Sequence, residues 1–89
     1  MLLAEEQLNE IESMASLFFS PEDIAINIET DMEEFCDAII SKSGEAFTAY
    51  RKGQLTSEIE LRTAVKQAAL NGSSPSQALL ISYFKNSQV

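Results

Sequence analysis

Four of the six basic side chains in this sequence, Arg51, Lys52, Arg62 and Lys66, fall in one uninterrupted run from Ser43 to Gly72. Wound at about 100° per residue, they share an arc of roughly 100° with Leu55, Ile59 and Leu70. Cations in that pattern suit two kinds of chemistry. They can neutralise phosphates along a nucleic-acid backbone, or they can rim an apolar interface with another protein. Little else in the chain can react. There is no histidine, and Cys36 is the only cysteine. That excludes a Ser-His or Cys-His nucleophile pair, a histidine-containing zinc site and a thiolate cluster. No glycine-rich phosphate loop is present, and Glu5, Glu6, Glu10 and Glu12 read as a solvated helix face rather than metal ligands. The expectation is a protein that is not an enzyme and carries no cofactor or metal.

The element that must position these cations is a long helix over 44–71. Ser43 suits its N-cap, and Asn71-Gly72 is a C-terminal stop. Gly53 is its interior weak spot, costing about 1 kcal/mol against alanine. Phe47, Tyr50, Leu61, Val65, Ala68 and Ala69 form its other face, interrupted by Gln54, Ser57 and Glu58.

The rest of the chain has to supply a core for that face. Leu8, Ile11, Ala15 and Phe18 recur at helical spacing and predict a first helix over 3–19. Ser20-Pro21-Glu22-Asp23 is a helix start, with Ser20 as cap, proline at the first helical position and carboxylates at the positive end of the dipole. That helix runs to about Ile28. Thr30 or Asp31 caps a third helix over 32–41, whose inner face is Phe35, Ala38 and Ile39. After Gly72, Ser74 caps a short return helix over 75–85, apolar on several sides from Ala78 to Phe84, which makes it either central to the core or part of an interface. The fold class expected is all-α: a tri-helical helix-turn-helix head (3–42) followed by a long helix and a short return helix (44–86), in one domain over 1–89. Two cores follow. One joins Phe18, Ile24, Ile28, Phe35, Ile39, Phe47 and Tyr50, and the other joins Leu61, Val65, Ala68, Leu80 and Phe84.

Charge is placed unevenly. Residues 1–45 carry twelve carboxylates against Lys42 alone, a balance of −11, whereas residues 46–89 carry Glu58 and Glu60 against five cations, a balance of +3. The two together give the net −8 of the chain. Such asymmetry suits head-to-tail pairing between copies or a local basic surface on an acidic protein. An 89-residue chain also builds only a small core, which self-association would supplement. The acidic start MLLAEEQ does not read as a signal peptide, no apolar run approaches a membrane span, and a single cysteine fits a reducing compartment. A cytoplasmic protein without membrane contact is expected.

The segment Ile24-Ala25-x-x-Ile28-x-Thr30-x-x-x-x-Phe35 has helix-turn-helix spacing: a small residue where helices cross, apolar anchors on either side and a tight turn between. Its lead-in LFFSPEDIA resembles that of the homeodomain-like head of phage terminase small subunits. The order downstream is similar to that family over about residues 8–86. It runs through Ala49, Tyr50, Gly53, Leu61, Arg62, Ala69, Asn71, Gly72, Pro75, Ala78, Lys85 and Asn86. The resemblance implies a non-catalytic ring or multimer that recognises viral DNA and passes it to a large terminase subunit, in the host cytoplasm if phage-encoded. Two positions depart from the family. Glu29 stands in the turn where a small residue, often glycine, is usual. The helix in the recognition position carries Asp31, Glu33, Glu34 and Asp37, which phosphates would repel. Phosphate contacts are therefore expected at Lys42, Arg51 and Lys52. A homo-oligomer interface is expected at Leu55, Ile59, Arg62, Lys66 and Leu70. DNA bound weakly per subunit is one reading. The other is an acidic protein-interaction module with a degenerate helix-turn-helix and no DNA binding.

Overall fold

A computed structural model describes residues 1–87. It is all-α, and among the described residues there is no strand. The helices are α1 Glu5–Ser16, α2 Pro21–Asn27, α3 Met32–Ser41, α4 Gly44–Leu70 and α5 Ser74–Ser87. The chain divides into two compact units, Met1–Ser57 and Glu58–Val89, and α4 contributes to both.

Local signals account for most helix starts. Ser20 Oγ accepts from the Asp23 amide at 3.2 Å, and Asp31 Oδ1 accepts from the Glu34 amide at 2.8 Å, each filling an orphan donor of a first turn. Gln7 opens α1: its Oε1 accepts from the Ala4 amide at 2.8 Å, while its Nε2 donates to the Ile28 carbonyl at 3.0 Å. One side chain thus ties the start of α1 to the end of α2. Ser73, rather than the expected Ser74, caps α5, its Oγ accepting from the Ser76 amide at 3.4 Å.

The helix ends share one device. At each of four stops the chain turns through a left-handed residue, and the following amide reaches back to a carbonyl five residues earlier, as in a Schellman motif. The left-handed residues are Phe18 (φ 63°), Glu29 (58°), Lys42 (56°) and Gly72 (96°). The closing bonds run from Phe19 to Met14 (3.2 Å), Thr30 to Ala25 (3.1 Å), Ser43 to Ala38 (3.2 Å) and Ser73 to Ala68 (3.0 Å). Three of the four turn residues pay the steric penalty that glycine avoids. The first stop also shortens α1, which ends at Ser16 rather than near Phe19.

In the first unit, Ile11, Ala15, Ile24, Ala25, Ile28, Phe35 and Ala46 are buried together, with Leu3, Leu8, Met14, Ile39, Ala49 and Tyr50 packed around them. Three of the anchors of the helix-turn-helix spacing, Ile24, Ala25 and Phe35, are fully buried. α2 packs on both α1 and α3. The first half of α4 completes this core against α1. Gly53 lies so close to α1 that a Cβ placed on it would sit 2.1 Å from the Glu12 carbonyl oxygen and 2.9 Å from Ala15 Cβ. Beside it the Ser57 hydroxyl donates to the Ser16 carbonyl, and Lys52 Nζ stands 3.6 Å from Glu12 Oε1. Gly53 is therefore the point of closest helix approach, and its low helix propensity is the cost of that crossing rather than a defect. Phe18 is a correction: it is 61% exposed, because its left-handed backbone swings the side chain off the stripe that Leu8, Ile11 and Ala15 define.

The second unit pairs the end of α4 with α5 around the Asn71–Ser73 turn. Gln77 Nε2 donates to the Ala69 carbonyl at 3.0 Å, and the Arg62 guanidinium lies 4.1 Å over the Tyr83 ring. Ala69 is the one buried apolar residue among the described residues of this unit. Val65, Ala68, Leu80 and Tyr83 are half-buried, but Leu61 and Phe84, expected in a second core, are exposed. Two helices share only one mutual face, so a hairpin by itself buries few of its side chains.

Candidate functional site

The three cations expected at phosphates all belong to the first unit. Lys42 sits in the left-handed turn between α3 and α4, exposed. Arg51 and Lys52 follow on α4, roughly 10 Å along the axis from its start. Arg51 is half-buried, while the Lys52 side chain is 72% exposed and shares its charge with Glu12. The structure spreads these residues from the α3–α4 turn along the first half of α4 and does not gather them into a pocket.

The helix in the recognition position presents a different surface. Phe35 and Ile39 turn inward, and Glu33, Glu34 and Asp37 are exposed. Met32, Cys36 and Ile40 recur every fourth residue on its outer side. Met32 is 42% exposed, Ile40 is 78% exposed and Cys36 is half-buried. Partial burial pushes the Cys36 thiol above its ordinary pKa, and the Glu22 and Asp37 carboxylates add to the shift. A protonated thiol is a poor nucleophile. Among the described residues no group of three Asp, Glu or Cys side chains is placed to hold a metal ion.

The residues expected at an oligomer interface are open to solvent. Leu55, at 41% exposure, lies in the first unit. Ile59 (62%) and Leu70 (69%) lie in the second, with exposed Arg62 and Lys66 between them on α4. On α5, Leu79, Ile81 and Phe84 are exposed as well. An open groove of about 530 Å³ runs between the helices past Arg62, Leu80, Tyr83, Ile81 and Phe84. A second of about 290 Å³ shares Arg62, Leu80 and Tyr83 and extends to Ile59 and Lys66. Sequence periodicity marked the α4 side of this surface. For the α5 side the sequence left two readings open, a central core helix or part of an interface, and the exposure of Leu79, Ile81 and Phe84 does not fit the first.

No helix among the described residues is long and apolar enough to cross a membrane. No family model, curated protein or solved structure matches the chain.

Proposed function

We infer that this protein is a non-catalytic assembly protein of the phage DNA-packaging kind, resembling terminase small subunits, that acts as a homo-oligomer and touches DNA weakly through each subunit. The observation that carries the reading is the second unit: a two-helix hairpin with Ala69 as its buried apolar residue and Ile59, Leu70, Ile81 and Phe84 in water. Apolar surface left open in that quantity favours association. The order of residues over 8–86 supplies the packaging role. Lys42, Arg51 and Lys52 supply phosphate contacts that become effective when many copies present them together. A large terminase subunit is the protein partner this role implies, and the host cytoplasm is where a phage-encoded copy would act.

The exposed carboxylates of α3 favour a second reading, an acidic protein-interaction module that binds no DNA. Solution mass and DNA retardation, measured together at low and physiological salt, separate the two. The packaging reading expects a mass of several chains and retardation that weakens steeply with salt. Association without retardation supports the interaction module. A one-chain mass from micromolar to millimolar concentration ends the assembly reading.

A further inference from the structure

The apolar groove of the hairpin and the Met32, Cys36 and Ile40 stripe of α3 are flanked by charges of opposite sign. We propose that the stripe Met32, Cys36 and Ile40 of one copy seats in the α4–α5 groove of a second copy, with Glu33 and Asp37 meeting Lys66 and Lys85. This rests on the self-association proposed above and names the surfaces that make it.

The groove is apolar at its floor, with Leu80 and Tyr83 common to both of its parts, and Ile59, Ile81 and Phe84 beside them. The cations that line it are Arg62 and Lys66, with Lys85 outside the lining on α5. Arg62 is already held over Tyr83, Lys66 is one turn further along α4, and Lys85 is one turn beyond Ile81 on α5. Two copies of this groove placed face to face would bring like cations together. The α3 stripe brings the opposite sign, since Glu33 follows Met32 and Asp37 follows Cys36. The lengths agree too. Met32 to Ile40 spans about 12 Å of helix, and Ile59 to Lys66 spans about 10 Å. Amphipathic helices docked in apolar grooves use anchors at this spacing.

Each copy carries one stripe and one groove, so each can give and receive. That is a heterologous contact, closing into a ring where the rotation permits and leaving a chain of copies where it does not. It also assigns α3 a protein partner in place of a DNA groove, which accounts for the carboxylates on its exposed face.

The test is a charge exchange on the full chain, read by sedimentation or light scattering, with circular dichroism to confirm helix content. E33K/D37K and K66E/K85E each reduce the mass to that of one chain. Arg62 is left alone because it holds Tyr83. Mixing the two variants, or combining all four substitutions in one chain, restores the wild-type mass. Ile40→Ser, at a residue the fold does not bury, also dissociates the assembly. If E33K/D37K and Ile40→Ser leave the mass unchanged, α3 is not the occupant and the pairing is wrong while self-association stands. Failure of the mixed or four-fold variants to reassociate with helix content intact also overturns it. A wild-type protein of one-chain mass removes both this pairing and the assembly reading.

Discussion

Gly53 rests on the backbone of Glu12: a methyl group on it would stand 2.1 Å from the Glu12 carbonyl oxygen, where no carbon can stay. Helix propensity alone makes alanine better than glycine here by about 1 kcal/mol. The contact reverses the sign, because the obstructing atom is main chain and cannot rotate aside. Gly53→Ala is expected to destabilise the fold by about 1–3 kcal/mol, the range for overpacked sites. Urea denaturation checks this, with the exposed Thr56→Ala as the control for propensity. A gain in stability would mean that the α1–α4 crossing is looser than described.

Glu29 invites the opposite experiment. Its φ of 58° suits glycine, and it places a carboxylate at the negative end of α2. Glu29→Gly is expected to raise stability by about 1 kcal/mol. Glu29→Ala keeps the left-handed strain and is expected to gain much less. Equal thermal midpoints for the two variants would deny that strain.

The proposed DNA contact has its own signature. R51E/K52E is expected to abolish retardation. Circular dichroism on the variant separates loss of the contact from loss of the fold, because Arg51 is half-buried; the exposed Lys52–Glu12 pair is worth at most about 1 kcal/mol. E34Q removes a repelling carboxylate that the α3 pairing does not use, and is expected to strengthen binding, most visibly at low salt. Retardation indifferent to both changes would place the contact elsewhere.

Ile59 separates an interface from a core. At 62% exposure it supports little of the fold within one chain. Ile59→Asp is expected to keep the helical circular dichroism spectrum and lower the solution mass. Loss of helix instead would show that Ile59 is buried by its own chain in solution.

Cys36 sets a pH dependence. Its thiol is held above the ordinary range by partial burial and by Glu22 and Asp37, so the native state keeps its proton where the unfolded chain releases one. Its contribution to stability is full below the unfolded pKa, about 8.5, and is lost as pH rises through the folded value. Cys36→Ser is expected to flatten the fall in stability on the alkaline side. An unchanged slope between wild type and variant would count against the shift.

The helices were legible because their starts are written in side chains that fill orphan amides: Ser20 is a cap the sequence marks outright, and Asp31 one of two it offers, with Thr30, the structure choosing Asp31. Helix α3 is expected over 32–41 and is found at Met32–Ser41. The ends were harder to read. Phe18, Glu29 and Lys42 terminate helices in a conformation that glycine would have announced, and none of the three is glycine. Phe18 shows the cost of missing such a turn, since a stripe drawn straight through it puts a solvent-facing ring in the core. Gly53 could be read only as a weakness, because the value of a missing Cβ lies in another helix. The basic arc and Leu55, Ile59 and Leu70 were legible from periodicity. The apolar surface of α5 was legible as well, but not whether core or interface covers it, since that is not encoded in the spacing of its own residues.

The crossing of α1 and α4 also has a consequence for the order in which the protein can be made. Synthesis releases the N-terminal helices first. α1, α2 and α3 emerge before the glycine and the serine that close upon α1. Until residue 57 has emerged, the face of α1 that will receive Gly53 has no cover, and the Ser16 carbonyl lacks the Ser57 hydroxyl. Once residue 57 is out, every helix segment of the first unit's core is present.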